Sequence, residues 1–528
     1  RRPATQSRNR SFPIFSMTST VLLAMMCACS ASKQSLDQDR TPMLISPPNG
    51  TTIWCGRDGA TPSLTWTAGP IPSATDQSLP DFIVELSTDP TFQEMILVDH
   101  VPAIIERYVR AVPLSVSHNH TVWYWRIGIP STTRIRSSDV RGSVVYSTTN
   151  SFIVQVPSMS AVVPATEISW STIQTTLSIA AASQQPYLIE FVPAARRVDP
   201  PPYTPGNPSV FVNFTHETDV IIDGRGSEIT FTSFVQFVKL LNCTRVSVVN
   251  FIFDLDPLPY TALSIDSVDS ATKTITVTLL PKHPTLEFLL PLCATDCGVG
   301  GVYTLGSANL DGLPATKRGV PETLRYHNYT RLNPHNPDSA STSGSAIAIA
   351  SASASTSSLS SSEAPRYSIS VYFTEAGWTG SLHGLDKGDV FMIDPRIDVG
   401  FSVLGGEHVT FRKVVVHACA NECFTSEHAE SLSILACGTV VVPGRIVAAN
   451  NGGHNHHGAA VGQWVEGGMW ENAADDTIHV SALAMGVTAV ISNNNDDIKT
   501  NNNNNDNNND NNTNNNNNSN NNNNNTSN

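Results

Sequence analysis

The stretch "DVIIDGRGSEITF" (219–231), followed by "NCTRVSVVNFIFD" (242–254), decides the fold of this chain. Each is a run of β-branched and aromatic residues that is set off by Gly or Asn, and Val220 and Val246 hold equivalent positions 26 residues apart. Such runs are typical of buried β-strands. The two stretches therefore predict successive strands separated by a short turn.

The same pattern returns nearer the C-terminus in "EHVTFRKVVVHACANECF" (407–424) and "ESLSILACGTVVVPG" (430–444). Val409 and Leu432 are 23 residues apart there. Recurrence at this spacing is typical of a solenoid, in which each coil buries one face on its neighbours. Few hairpin signals and no long amphipathic helices interrupt it, which argues against a sandwich and against an α/β fold. We predict an all-β chain with a right-handed parallel β-helix over residues 165–490, in which 165–182 could form a strand followed by a short capping helix.

The residues before this region follow a different sequence pattern. Residues 43–155 contain "SPPNGTT", "LTWTAG", "IVELSTDPTF" and "YWRIGI", short strand-like runs separated by Pro, Gly, Asp and Ser. This stretch resembles a fibronectin type III-like domain, and the resemblance implies a β-sandwich that serves as a spacer or a binding platform. Trp66 and Trp125 are expected in its core, because large aromatic side chains dominate such cores.

The N-terminal leader, residues 1–32, contains an apolar run from Val21 to Cys29 that is followed by small residues. This is the shape of a secretory signal and is too short to span a bilayer. Glycosylation sequons fit the same route, and they stand at Asn49, Asn119, Asn213, Asn242 and Asn328. We predict a secreted or extracellular protein, with attachment at the cell surface as a further option.

Composition limits the partners. The 528 residues carry a net charge of −14, and only 14% of them are charged. Nucleic-acid binding requires basic patches, and the chain has none with interleaved aromatic residues. We therefore predict neither a nucleic-acid partner nor a membrane span.

Cysteine spacing leaves two readings open. "CATDC" (293–297) and "CANEC" (419–423) could each close a small disulfide loop in an oxidising compartment. The alternative is buried free thiols. Two low-complexity segments, the Ser/Ala-rich 338–363 and the Asn-rich 493–528, are predicted to be disordered because they cannot bury enough apolar surface.

The candidate chemistry is concentrated in "WENAADDTIHV" (470–480), which holds Asp475 and Asp476. Hydrolysis of a glycosidic bond requires one protonated acid for the leaving group and one carboxylate to activate water. An Asp-Asp pair is also common in plain turns, where the side chains bond to their own backbone. The pair by itself therefore does not distinguish a site from a turn.

Several segments together resemble the glycoside hydrolase family 110 α-galactosidases, most specifically "FDLDPLPYT" (253–261) and "ADDTIHV" (474–480). The others are "DVIIDGRGS", "LDKGDVFMIDPR", "HVTFRKVVVHACANECF" and "VVPGR". The resemblance implies inverting hydrolysis of terminal α-linked galactose on a glycan, with neither metal nor cofactor. It assigns catalysis to Asp475 and Asp476.

The same family pattern places a further aspartate about one coil earlier, in a segment that here reads "NNGGHNH". Asn451 or Gly452 stands at that position, and an amide cannot accept a proton as a carboxylate does. Glu466 and Glu471 are the nearby candidates to replace it. Asn451 itself is retained as a predicted substrate-binding residue.

The histidines and tryptophans around Asn451 are candidates for substrate binding. His454 matches the histidine of the family motif, so we predict that it binds a sugar hydroxyl. Trp464 is predicted to stack on a sugar ring, as is Trp470, with core packing as the alternative for both. "HNHH" (454–457) could bind a metal, but side chains along a strand diverge, and a solvent-facing loop is the preferred interpretation.

Two further features lie outside this cluster. Asp254 and Asp256 in "DLDP" are predicted to cap a turn. Arg445 is the only base available for a polysaccharide lyase, and carboxylates that could hold calcium are sparse around it. The two leading hypotheses are therefore an α-galactosidase-like hydrolase, with activity weakened or lost at Asn451, and an inactive carbohydrate-binding or structural module.

Overall fold

The structure of the protein is a computed structural model that describes part of the chain. The described residues are 42–67, 81–102, 107–109, 113–116, 120–130, 144–165, 169–204, 207–290, 298–308, 314–316, 324–333, 336–343, 364–373, 385–395, 397, 400–458, 462–471, 473 and 477–481. The predicted leader, the Asn-rich tail, the pair Cys293/Cys297 and residues 344–363 of the Ser/Ala segment lie outside them. The described part is mostly β-strand with several parallel sheets, which confirms the all-β prediction.

Residues 43–155, the N-terminal unit, form two sheets. Strands β1, β3 and β6 pair antiparallel, and β5, β4, β7, β9 and β2 form the other sheet, with β8 beside β7. Trp66 and Trp125 are buried in one shared apolar cluster, as predicted. The strands are β1 (Met43–Ser46), β2 (Thr51–Trp54), β3 (Ser63–Thr67), β4 (Phe82–Ser87), β5 (Met95–Val101), β6 (Arg107–Val109), β7 (His120–Pro130), β8 (Val144–Tyr146) and β9 (Asn150–Gln155).

The parallel unit, residues 159–260 and 400–481, consists of a ten-stranded and a six-stranded sheet whose pairings are all parallel. The ten-stranded sheet contains β10 (Met159–Val163), β11 (Tyr187–Phe191), β12 (Ala195–Val198), β14 (Val220–Phe231), β16 (Ser247–Leu255), β26 (Thr410–Val416), β28 (Ser433–Leu435), β29 (Gly438–Thr439), β31 (Trp464–Glu466) and β32 (Met469–Trp470). The six-stranded sheet contains β13 (Ser209–Thr215), β15 (Val235–Leu241), β25 (Phe401–Leu404), β27 (Phe424–Glu427), β30 (His454–His457) and β33 (Ile478–Ser481). The chain alternates between the two sheets as it advances.

The register between neighbouring coils reproduces the spacing seen in the sequence. Ile221 lies beside Ser247, an offset of 26 residues, and Thr410 lies beside Ser433, an offset of 23. Each coil therefore repeats the path of the one before it, and equivalent side chains stack.

Helix α1 (Trp170–Ala182) covers the start of the parallel unit, and the prediction of a capping helix here is confirmed. Its first turn is capped by Ser169, whose hydroxyl accepts a hydrogen bond from the Thr172 backbone N–H. Ile173 and Leu177 point into the core, because they stand four residues apart on one face of the helix.

An antiparallel sheet interrupts the parallel unit between β16 and β25, and the sequence analysis did not anticipate it. Its strands are β17 (Thr261–Asp269), β18 (Thr274–Leu279), β19 (Gly298–Ala308), β20 (Pro314–Thr316), β21 (Leu324–Asn333), β22 (Asn336–Ser343), β23 (Arg366–Phe373) and β24 (Asp389–Asp394), with the short helix α2 (Leu286–Leu289) after β18. Strand β22 includes residues 338–343 of the segment predicted to be disordered.

The hairpin of β17 and β18 has a turn signal in its sequence, although the hairpin was not predicted. Asp269 ends the first strand, and its carboxylate accepts hydrogen bonds from the backbone N–H groups of Ala271 and Thr272. An aspartate that satisfies the backbone two residues on is a standard turn signal. Apolar and polar residues alternate along β17 and β18 as they do along the strands of the parallel unit. Periodicity alone therefore did not distinguish the antiparallel strands from the parallel ones.

Stacked phenylalanines fill the space between the two parallel sheets. Phe401 lies 4.5 Å from Phe424, ring centre to ring centre, with an angle of 8° between the planes. Phe237 and Phe253 are 5.1 Å apart and also stacked. A one-coil offset brings identical side chains over each other, so an aromatic residue at one rung favours an aromatic residue at the next.

Close coil packing explains one glycine. A Cβ atom at Gly438 would lie 1.7 Å from the backbone oxygen of Met469 on the next coil. No side chain fits there, because the backbone of β32 occupies the space.

The N-terminal unit contacts the ten-stranded sheet through charged groups. Asp58 accepts a hydrogen bond from the Arg412 guanidinium at 2.6 Å, and Arg57 pairs with Glu190 at 3.0 Å. Arg107 of β6 reaches across to the backbone oxygens of Ser431 and Gly462. These contacts hold the loop that contains residues 56–60 against the sheet. Neither helix in the described ranges has the length and apolar character needed to cross a membrane.

We expect Phe401→Ala to lower the free energy of unfolding by about 3–5 kcal/mol, because it opens a cavity within the aromatic stack. Phe401→Leu keeps most of the volume and should cost clearly less. Urea unfolding followed by circular dichroism measures both. Equal losses for the two variants would contradict the packing described.

Candidate functional site

A polar group lies on the outside of the parallel unit, where the chain enters the six-stranded sheet on two successive coils. It comprises Asn421, Glu422, Thr425, Asn451 and Asn455, and we call it the Glu422 patch. All five side chains are half-buried.

Hydrogen bonds within the Glu422 patch converge on the carboxylate. The Asn451 amide nitrogen lies 3.4 Å from Glu422 Oε1 and 3.1 Å from Asn421 Oδ1. Asn455 donates to Glu422 Oε1 at 2.8 Å, and the Thr425 hydroxyl donates to Oε2 at 3.0 Å. The carboxylate is therefore held in one orientation beside Asn451.

The parallel register brings these residues together. Phe424 lies beside His454 in the ladder, and the Cys423 backbone N–H donates to the Gly452 oxygen at 3.0 Å. Glu422 lies one coil before Asn451. A carboxylate therefore stands next to Asn451, the position at which the family pattern expects an aspartate.

Asp475 and Asp476, the predicted catalytic pair, lie outside the described residues. The described residues on either side of them are Ala473, which bridges to Ala449, and Thr477, whose backbone oxygen accepts a hydrogen bond from the His454 N–H at 3.0 Å.

The loop that leads to Asn451 is fixed by the "DLDPLPY" segment. Asp254 accepts two hydrogen bonds from Arg445, at 2.6 and 2.7 Å, and Tyr260 accepts one from the Ile446 backbone N–H at 3.1 Å. The Asn450 amide donates to the Pro259 oxygen at 2.8 Å. The segment therefore holds in place the loop that leads to Asn451 of the Glu422 patch.

Asp254 also binds its neighbouring backbone N–H, that of Leu255, at 2.8 Å. Asp254 lies near the end of strand β16, and its main partner is an ion pair that the sequence did not reveal. Both terminal nitrogens of Arg445 are occupied by the Asp254 carboxylate. The pairing of Arg445 therefore weighs against the lyase alternative.

His454 is fully buried and faces the interior of the parallel unit. Its ring stacks on Trp470 at 6.0 Å, and Trp470 meets Phe424 edge-on at 5.5 Å. Trp470 is therefore a packing residue. In this conformation His454 presents no surface to a sugar.

Burial lowers the pKa of His454 to about 4, with the charge of His456 acting in the same direction and the Gln463 side chain opposing it. The ring is therefore neutral at pH 7.

The histidines of "HNHH" alternate, since they lie on strand β30 and not in a loop. His454 and His456 are buried, whereas His457 is half-buried and its Nδ1 bonds to the Ser481 hydroxyl. His456 Nδ1 bonds to the Ser426 hydroxyl at 2.7 Å. The solvent-facing loop predicted here is wrong, because residues 454–457 pair with strands on both sides.

Trp464, the other predicted substrate-binding residue, packs against the core of the N-terminal unit, where it meets Tyr108 at 6.2 Å. Its indole N–H donates to Glu466 at 2.9 Å. The Glu471 carboxylate accepts from the Val441 backbone N–H at 2.8 Å. Both glutamates proposed as replacement bases thus have partners away from Asn451.

Glu422 was missed by the sequence analysis, which searched along the chain near Asn451. The signal that could have found it is the coil spacing, since a residue one coil back in sequence is a neighbour in space. The pair Cys419/Cys423, on the same coil, is present as buried free thiols, the second of the two predicted alternatives.

We expect Asp254→Ala to lower the free energy of unfolding by about 3–5 kcal/mol, because it leaves the Arg445 charge without its partner in a largely buried site. Asp256→Ala is the matched control from the same motif. Asp256 pairs with Arg197 where both side chains are 59% exposed, so its loss should cost about 1 kcal/mol or less. Urea unfolding of both variants tests this, and similar costs would contradict it.

The His454 pKa predicts a dependence of stability on pH. The unfolded chain binds a proton near pH 6.5, whereas the folded chain does so only near pH 4. Stability should therefore be lost as pH falls through this window, by about 1.4 kcal/mol per pH unit for this group. His454→Gln should reduce the slope by that amount in urea unfolding between pH 4.5 and 7.5. An unchanged slope would refute the assignment.

The chain was compared with protein-family models and with curated proteins. No family model matches it, and the search of curated proteins found no match. The candidate site is therefore interpreted from the Glu422 patch and its surroundings.

Proposed function

We propose that the parallel unit is a right-handed parallel β-helix and that the N-terminal unit is a fibronectin type III-like sandwich. The first assignment is supported by two parallel sheets with a recurring coil offset. The second is supported by two sheets of strands that share one apolar core and by the tryptophans buried in it.

We further propose that the chain is a secreted protein that hydrolyses terminal α-linked galactose on glycans, with inversion. The observation that carries this proposal is the Glu422 carboxylate beside Asn451, oriented by Asn455 and Thr425. Glu422 would activate the water, and the pair Asp475/Asp476 would supply the acid. The resemblance to the family 110 enzymes rests on the quoted segments alone.

The ladder spacing puts groups two rungs apart at the upper limit of the separation that inversion requires. Phe424, His454 and Ile478 lie on three successive rungs. Neighbouring strands are about 4.8 Å apart, so groups two rungs apart are separated by roughly 9–10 Å. Inverting hydrolases hold their carboxyl groups at about 6.5–9.5 Å, which leaves room for the attacking water.

Amides next to a carboxylate also suit sugar binding. Asn451 and Asn455 each carry a donor and an acceptor, the complement of a sugar hydroxyl. In this proposal Asn451 binds the substrate, as its position in the resemblance implies. His454 acts at most by supporting Trp470 from inside, and Trp464 holds the N-terminal unit.

The second candidate is an inactive module that binds galactosides. It is favoured by the amide at Asn451 and the glycine beside it, which leave the family position without a carboxylate. The two candidates differ in turnover and agree in binding.

We expect the full chain to release the aryl group from an aryl α-galactoside, and Glu422→Gln to lower kcat by about 10²–10⁴-fold while galactose binding is retained. Glu427→Gln is the matched control, because Glu427 is on the same coil, at the end of β27, and is exposed. It should leave kcat unchanged.

Each outcome separates the alternatives. Binding of galactose without turnover by the unsubstituted chain supports the inactive module. Turnover that survives Glu422→Gln rules out Glu422 as the base, and neither binding nor turnover would refute both proposals.

A further inference from the structure

A cavity of about 290 Å³ lies between the N-terminal unit and the outer face of the ten-stranded sheet. One wall is formed by residues 46–63, which are β2 with the connections before and after it, and the other by β14, β16, β26 and β28 together with the turns before them. Ligand sites occur preferentially at such junctions, and this volume is near the lower end of their usual range. The space suits a molecule of monosaccharide size.

The sheet wall is cationic. Arg245 and Arg412 both line the cavity, and no Asp or Glu does, although Arg245 is paired from outside the lining with Asp219 at 2.6 Å. The Arg412 side chain is only 2% exposed; its NH2 group donates to Asp58, whereas its NH1 group is buried without a hydrogen-bond partner among the described residues. A buried guanidinium normally satisfies all its donors. An acceptor at this wall would supply the missing partner after a small movement of the side chain.

A further positive charge lies directly behind the wall. Arg107 is buried, and its hydrogen bonds within the described structure go to neutral oxygens: the hydroxyls of Ser63 and Ser433 and the backbone oxygens of Gly462, Ser431 and Leu432. Ser63, Ser431 and Ser433 also line the cavity. Burial lowers the pKa of Arg107 to about 10, so it remains cationic at pH 7.

His408, another lining residue, experiences the same potential. Burial lowers its pKa, and the charges of Arg107 and Arg245 lower it further against the opposing effect of Glu407. The ring is therefore neutral at pH 7 and offers a hydrogen bond.

The rest of the lining is suited to a hydroxylated ligand. Hydroxyl groups come from both walls, and they belong to Ser46, Thr51, Thr61, Ser63, Ser247, Thr410, Ser431 and Ser433. Trp54 adds an aromatic surface of the kind on which a sugar ring packs. Cys55 is also present, but burial raises the pKa of its thiol to about 12, so it is not a nucleophile.

We propose that this cavity binds a monosaccharide that carries one acidic group. The cationic wall would hold the acidic group, and the surrounding serine and threonine hydroxyls would hold those of the sugar. The site is separate from the Glu422 patch and does not depend on the proposed hydrolysis.

The test is isothermal titration calorimetry of the full chain with galacturonate, galactose 6-sulfate, galactose 6-phosphate and neutral galactose. We expect at least one acidic sugar to bind at least tenfold more tightly than galactose. The three acidic ligands separate a carboxylate site from a sulfate or phosphate site. Equal affinity for acidic and neutral sugars, or no binding of any acidic sugar, would overturn the proposal.

Variants locate the site. Ser247→Phe fills the cavity without changing its charge and should weaken binding at least tenfold. Thr230→Phe, on the neighbouring strand but outside the lining, is the matched control and should bind as the unsubstituted chain does. Binding unaffected by Ser247→Phe would place the ligand elsewhere.

A second variant covers the case in which Ser247→Phe does not fold. Arg412→Lys keeps the positive charge and removes the fork of donors, so it should weaken binding of the acidic sugar at least tenfold. Arg197→Gln, at an exposed ion pair, is its control. Full affinity in Arg412→Lys would contradict the role of the guanidinium.

Discussion

Parallel pairing between successive coils is the constraint on which the rest of the structure depends. Once the backbone N–H and C=O groups of one coil bond to the next, each side chain has a fixed neighbour one coil away. Inward side chains of successive coils then pack directly on one another. The rings of Phe401 and Phe424 lie nearly parallel at 4.5 Å, and the backbones of Gly438 and Met469 touch. Core composition and register thus support each other.

The same constraint determines the polar exterior. Residues that point outward at the same rung come together even when they are far apart in sequence, which is how Glu422 meets Asn451 and Asn455. The "DLDPLPY" segment adds a second layer, because Asp254, Tyr260 and Pro259 bind the loop that carries Asn451 into the ladder. A motif that looks like a turn in sequence therefore acts as a support for the candidate site.

Buried charge governs the contact between the N-terminal unit and the parallel unit. Arg412 and Arg107 both lie beneath this contact, and they bind one carboxylate and several neutral oxygens between them. Removing a partner from a buried charge is costly, so such groups specify one arrangement of the two surfaces. The cavity beside them is positively charged, although the chain as a whole has a net charge of −14.

The sequence by itself determined the strand class, the coil spacing and the buried tryptophans, because all three follow from the order of apolar and turn residues along the chain. It also predicted the capping helix. The antiparallel insertion, the inward orientation of His454 and the meeting of Glu422 with Asn451 were decided only by the tertiary structure. Strand periodicity is the same in parallel and antiparallel sheets, so it does not reveal the pairing partner. The identity of the neighbour on the next coil depends on register, and register is set by packing across the whole ladder.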